Sequence, residues 1–381
     1  MKVNGMKKRI ISVFIVAAMA AGLLAGCGAA ENTEDGSGSL QQSAGEESTS
    51  SGESITVINY GEYIDKSVLR QFEQETGIKV KYEECVNPEE MYSKYIAGAI
   101  NYDLICSSDY IIELLIQEGH AVKIDKSQME YVDNIGDKYW ELCQVFDPEN
   151  EYALPYFYGT VGILYNEDLV KGEIDSWDVL FNGEYSGELI MSNNVRDALM
   201  IAEKYLGYSL NTTDRDEIDR AFQLLIEQKK DVEAYFLDEV REEMVAENAA
   251  VAVCYSGETY LANEYNEKLQ YVVPKEGSNL WVDCWMIPKS STNTEGAIKF
   301  LDFLCREDIA MKNFEYVYYP TPNEAVLAQL DEETLSDPFV FPDEVAFENC
   351  EVYRQLDEAT VKYYTDWWKE LKSVTNFFWQ R

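Results

Sequence analysis

After residue 54 the apolar and polar positions of the chain alternate between two periods. Residues 55–58 are a short apolar run of strand length, punctuated by Gly61 and Asp65. From Lys66 the apolar positions Val68, Leu69 and Phe72 recur at three- and four-residue spacing, which predicts a helix with one buried stripe, and Gly77 stops it. A second strand is predicted over residues 78–82. Strand, helix and strand make a β-α-β unit, expected to be right-handed with parallel strands. Ligands of such sheets bind beyond the carboxyl ends of the strands. Asn59-Tyr60-Gly61-Glu62-Tyr63 lies at that end. Its two rings and one carboxylate suit an organic cation, although the pentapeptide standing alone reads as a polar turn with two half-buried tyrosines.

The two-period pattern continues. A helix is predicted over residues 88–99, a strand over 102–106, and a helix over 109–117 with Asp109 as its N-cap. Ser107 and Ser108 sit at that switch, with Tyr110 just inside the helix. Residues 151–165 form a long extended apolar segment, the candidate crossover between two lobes. A second series follows, with strands at 189–192 and 249–255 and helices at 216–228 and 258–264; a further helix is entered through Asn193 and Asn194. Strands over 271–274 and 281–288 lead back towards the first lobe. A helix is predicted over 293–305, and an aromatic-rich one over about 349–372. Strand and helix in alternation indicate an α/β fold.

The start of the chain has a different character. Lys2, Lys7, Lys8 and Arg9 precede an apolar run from Ile10 to Leu24, the arrangement of a signal peptide and too short to be read first as a membrane span. The run ends in Leu24-Ala25-Gly26-Cys27, which resembles a bacterial lipobox, so residues 1–26 are expected to be removed and Cys27 to carry lipid. Residues 28–54 are rich in Gly, Ser, Ala, Thr and Glu and are expected to be a flexible tether. Anchor, tether and body together place the protein on the outer face of the cytoplasmic membrane.

Charge narrows the partners. The formal net charge is −39, and loss of the four signal cations makes it −43. That disfavours nucleic acid and anionic lipid surfaces and assists the approach of cations. The single histidine, His120, nearly excludes His-based triads and His-rich metal sites. Seven cysteines remain after Cys27, with no CxxC or other paired spacing, so neither a disulfide framework nor a zinc site is legible. Cys106 and Cys254 lie in apolar runs and read as packing residues. Paired carboxylates remain open to glycosidase-type chemistry, yet 70 acids make chance pairs common and no catalytic constellation stands out.

Taken together, a set of segments in order resembles the spermidine/putrescine-binding proteins of bacterial polyamine ABC transporters, a branch of the type II periplasmic binding proteins. They are Asn59-Tyr60-Gly61-Glu62-Tyr63, Glu75-Thr76-Gly77-Ile78-Lys79-Val80, Tyr102-Asp103-Leu104, the stretch from Leu206 to Asp214, Pro274-Lys275-Glu276-Gly277, Trp281-Val282-Asp283 with Ile287-Pro288, and Tyr319-Pro320-Thr321-Pro322-Asn323. They span about residues 55–372.

The resemblance implies a two-lobed α/β fold with the ligand in the cleft. It divides the chain into lobe 1 (55–158 with 284–327) and lobe 2 (159–283 with 328–381). It implies a polyamine ligand, a permease partner, a monomer, no cofactor and no enzymatic activity. Tyr60, Glu62, Tyr63, Ser108 and Tyr110 would come from the first lobe. Asn194, Asp197, Tyr255, Trp281 and Asp283 would come from the second lobe and the crossover, with Tyr353 from the C-terminal region. An alternating chain of ammonium groups and methylenes needs carboxylates at intervals and rings between them. The family's pattern has tryptophan where this chain has Tyr60 and Tyr255, commonly aspartate at Asn194, glutamate at Asp197 and glutamine at Tyr353. The resemblance therefore leaves open which polyamine is preferred. The residues alone also admit another cationic solute or a carboxylate-based hydrolase.

Overall fold

The alternation of apolar segments resolves into one curled, mixed sheet flanked by helices. The computed structural model describes residues 53–237, 239–341 and 347–374. The signal peptide, Cys27 and most of the tether lie outside these residues. The first series is β1 (Ser54–Tyr60), α1 (Lys66–Thr76), β2 (Lys79–Cys85), α2 (Pro88–Ile96), β3 (Leu104–Ser108), α3 (Asp109–Gln117), β4 (Ala121–Val122) and α4 (Asp137–Cys143). The crossover is a single 14-residue strand, β5 (Ala153–Asn166). The second series is β6 (Leu189–Ser192), α5 (Val195–Tyr205), α6 (Arg215–Gln228), β7 (Val232–Phe236), α7 (Val240–Val245), β8 (Val251–Tyr255), α8 (Ser256–Tyr265) and β9 (Leu269–Val272). β10 (Leu280–Pro288) returns, followed by α9 (Thr294–Cys305), α10 (Glu307–Val317), α11 (Glu324–Leu327), α12 (Glu332–Leu335) and α13 (Glu358–Ser373).

Local chemistry sets the element ends. The Asp65 carboxylate accepts from Ser67 N at 2.7 Å and caps α1, and Gly77 ends it in the left-handed conformation at φ 76°. Val68 and Phe72 are the buried stripe, and Phe72 meets Phe300 of α9 edge-on at 5.0 Å. α5 is capped by Asn194, whose side chain accepts from the amides of Arg196 and Asp197.

The strand order is β2-β1-β3-β10-β5-β8-β6-β7, with β4 on β10 and β9 on β5. β1 is parallel to β2 and β3, and β6 is parallel to β7 and β8. β5 and β10 run antiparallel to each other at the centre and belong to both halves. The carboxyl ends of β1, β3, β6 and β8 therefore all face the middle, where β5 and β10 cross.

Several boundaries differ from the sequence reading. Ser108, not Asp109, is the N-cap of α3, and Asp109 is its first helical residue. The terminal helix starts at Glu358 rather than near 349. The segment before it is extended instead, because Glu351 N bonds Ser278 O and Leu280 N bonds Glu351 O, both at 3.0 Å. Ser256 and Gly257 open α8 rather than separating it from β8. β7, α7 and α10 carry no matching expectation.

Candidate functional site

Where the two halves meet, one cluster forms around Asp283. This residue of β10 pairs with Ser108 of β3 on one side and Phe157 of β5 on the other. Its carboxyl is buried, and that burial pushes its pKa up to about 6, with the Tyr63 and Ser108 hydroxyls drawing it back in part. Tyr60, at the end of β1, places its hydroxyl 3.2 Å from Ser108 Oγ and accepts from Ser108 N at 3.2 Å. The Tyr63 ring stands edge-on to Tyr60 (5.5 Å), Tyr156 (5.7 Å), Phe157 (5.4 Å) and Tyr319 (5.9 Å). Its buried hydroxyl completes no hydrogen bond of normal geometry although it acts on Asp283. Glu62 adopts φ 52° and lies exposed at the rim, where its charge reaches Arg241 of α7.

A second cluster forms around Asp197 in the first turn of α5. Its carboxylate accepts from Tyr255 Oη at 2.5 Å, Tyr353 Oη at 3.0 Å and Ser192 Oγ at 3.4 Å. Burial raises its pKa, and these hydroxyls and Arg196 oppose the rise. The Arg196 guanidinium lies 4.4 Å from the Tyr353 ring centre and 5.6 Å from that of Tyr110. Tyr110 meets Tyr353 edge-on at 6.0 Å and donates to Glu89 at 2.8 Å. Behind Arg196, burial pushes Glu203 up to about 8. Asn194 spends its side-chain oxygen on the helix cap.

Rings join the clusters. Trp281 meets Tyr319 at 5.1 Å and Tyr255 at 6.4 Å, both edge-on, so Tyr63, Tyr319, Trp281 and Tyr255 form an unbroken row from Asp283 to Asp197. Two glycines make room for it. A Cβ at Gly159 would come within 2.5 Å of the Trp281 ring, and one at Gly257 within 2.3 Å of Tyr319. The halves are in contact across the row, Trp281 against Tyr319 and Tyr110 against Tyr353, and within the second half a cavity of about 10 Å³ lies beside Asp197 and Tyr255, room for roughly one water. At its edge Glu113 of α3 accepts two bonds from Arg354 Nε, one of 2.6 Å from Nη2 and one of 2.7 Å from the Gln355 amide. Among the described residues, no group of three or more His, Cys, Asp or Glu side chains is placed to hold a metal ion.

Residues 67–342 match the family model described as bacterial extracellular solute-binding protein. The chain belongs to that family. This solute-binding protein is 34% identical over 319 residues to the spermidine/putrescine-binding periplasmic protein of Escherichia coli strain K12, covering 83% of this chain and 90% of that one. It is 31% identical to the putrescine-binding periplasmic protein SpuD of Pseudomonas aeruginosa, over 84% and 92% of the two chains. Among solved structures it is similar to the spermidine/putrescine ABC transporter substrate-binding protein PotD from Streptococcus pneumoniae, with TM-score 0.75, 37% identity, and coverage of 84% and 98%. The fold is the two-lobed type II one, with the cleft between the lobes.

Of the residues singled out in the sequence of this solute-binding protein, Tyr60, Tyr63, Ser108 and Asp283 come together at one end of the ring row. Asp197, Tyr255 and Tyr353 come together at the other, with Tyr110 against Tyr353 and Trp281 between the ends. Asn194 stands beside the second cluster as a cap, and Glu62 stands apart at the rim. The sequence reading missed Tyr319, Arg196 and Asp109. Tyr319 opens the quoted segment Tyr319-Pro320-Thr321-Pro322-Asn323, but only the fold shows its ring between Tyr63 and Trp281. Asp109 is fully buried, and its Oδ2 has no hydrogen-bond partner.

Proposed function

We propose that this solute-binding protein takes up a polyamine between its lobes and delivers it to an ABC permease. The observation that carries the reading is the row of four rings with a buried carboxyl at each end. Ammonium groups at the ends of a methylene chain would pair with Asp283 and Asp197, while Tyr63, Tyr319, Trp281 and Tyr255 cover the methylenes. Ring faces attract cations by roughly 0.5–2 kcal/mol each, and hydrogen bonds to charged groups contribute about 1.5–3 kcal/mol. A few of each support micromolar or better affinity after the association entropy is subtracted. Spermidine/putrescine and putrescine in the names of similar proteins support the same ligand class.

In this reading Tyr60, Ser108, Tyr110, Tyr353 and Asn194 shape the two ends, and Glu62 attracts cations at the rim. The lobes in this reading are residues 55–158 with 284–327 and residues 159–283 with 328–381. The packing of Val340 and Phe341 on Phe314 and Val326 supports carrying lobe 1 beyond the expected 327. The protein acts as a monomer held to the membrane through lipid on Cys27, and closure of the lobes, not catalysis, is its work. Calorimetric titration of the chain with putrescine, cadaverine, spermidine and spermine, beside an amino acid and a sugar, tests the reading. Amines alone should bind; heat from the sugar or the amino acid with none from the amines would sink it.

A further inference from the structure

α4 ends at Cys143, and its sulfur lies 3.6 Å from that of Cys284 on β10. Both residues are fully buried although 141 positions separate them. Cys284 directly follows Asp283, where β10 shifts register against β5. The sulfurs stand about 1.5 Å beyond bonding distance. α4 is a seven-residue helix, and Cys143 is its last residue, so a small shift of the final turn brings them together. Cys85, by contrast, donates to the Asn59 carbonyl at 3.4 Å.

Extracellular solute-binding proteins complete their folding outside the cytoplasm, where thiols meet oxidants. We propose that Cys143 and Cys284 form an intramolecular disulfide when the chain folds in the presence of a disulfide oxidant. The Cys143 thiolate attacks one sulfur of the oxidant, making a mixed disulfide and releasing one thiolate. The Cys284 thiolate then attacks the Cys143 sulfur and expels the second. The protein pair gives up two protons and two electrons, and the oxidant leaves as two thiols. Timing follows from burial, which holds the Cys284 thiol well above its ordinary pKa in the folded protein. Exchange therefore precedes the packing of α4 on β10, and the finished bond is shielded from reductants. It ties α4 to the strand that carries Trp281 and Asp283.

The full chain is folded in a glutathione disulfide/glutathione buffer and, separately, in dithiothreitol, then denatured, alkylated and mapped by mass spectrometry. The oxidised sample should show two fewer alkylated thiols, with the peptides of Cys143 and Cys284 joined. Its thermal midpoint should be about 5–10 °C higher than that of the reduced sample. Cys143→Ala should abolish both differences. Full alkylation of the parent after oxidative folding, or a bond joining any other pair, overturns the proposal, and the parent's map decides even if the variant fails to fold.

Discussion

A carboxyl withdrawn from water is a poor anion until a cation joins it, and Asp283 is in that position, with Tyr63 and Ser108 hydroxyls as its neighbours. Asp283→Asn is expected to weaken every polyamine by roughly 1.5–3 kcal/mol, because one ammonium loses its charged partner in a closed site. Titration of the variant checks this; parent-like affinity would remove Asp283 from the site. Asn194 makes a different point. Its oxygen caps α5, and aspartate caps as well or better at a helix N-terminus. Asn194→Asp should leave the thermal midpoint level or slightly raised while changing the ranking of diamine against triamine. An unchanged ranking would show that position 194 serves the helix alone. Cys27→Ser should free the protein from the membrane fraction with its body intact, and retention after a carbonate wash would contradict the lipid anchor.

Elements show how much was legible in the sequence and why the rest was not. The β-α-β opening follows from local signals: an apolar run, a three-four stripe, a capping Asp65 and a left-handed Gly77. Tyr353 was expected on a helix, yet it lies in an extended stretch because its neighbour Glu351 bonds Ser278 and Leu280, far away in the chain. No local period encodes such a partner. β7 escaped notice for a related reason: it is an edge strand, largely half-buried, with the weak pattern Val-Glu-Ala-Tyr-Phe. The ring row was half visible, since the opening pentapeptide and the family resemblance brought out Tyr63 and Trp281, but only packing inserts Tyr319 between them. Gly257 of α8 faces that ring. Gly257→Ala should lower polyamine affinity at least tenfold, because Tyr319 is backed by Tyr63 and Trp281 and cannot yield freely. The ligand-free melting midpoint should move much less; the reverse pattern would place Gly257 in the core rather than in closure.

For the molecule as a whole, pH couples to stability and to ligand binding through Asp283. Its pKa near 6 in the folded protein exceeds that of an unfolded aspartate, about 3.9, so its neutral form favours the fold. That stabilisation is full below about pH 4 and is lost as pH rises through about 6, amounting to about 3 kcal/mol. A bound ammonium requires the anion, so polyamine affinity should climb as pH rises through about 6 and level off above about 7. Calorimetry from about pH 5 to about pH 8, in buffers of different ionisation heat, should show proton release at the acid end only. A flat profile would mean that the ligand does not meet this carboxyl.

The paired strands β5 and β10 carry one further consequence. Leu280 to Asp283 lie alongside Thr160 to Phe157, so the joint between the halves is a two-ply ribbon of hydrogen-bonded backbone rather than two separate loops. Bending such a ribbon keeps its interstrand hydrogen bonds, whereas sliding one strand along the other would break them. Opening of the halves is therefore expected to proceed by bending of this ribbon rather than by slippage of its strands, like the jaws of a sprung peg. Because Trp281 and Asp283 are part of the spring, whatever they grip also sets how far the jaws stand apart.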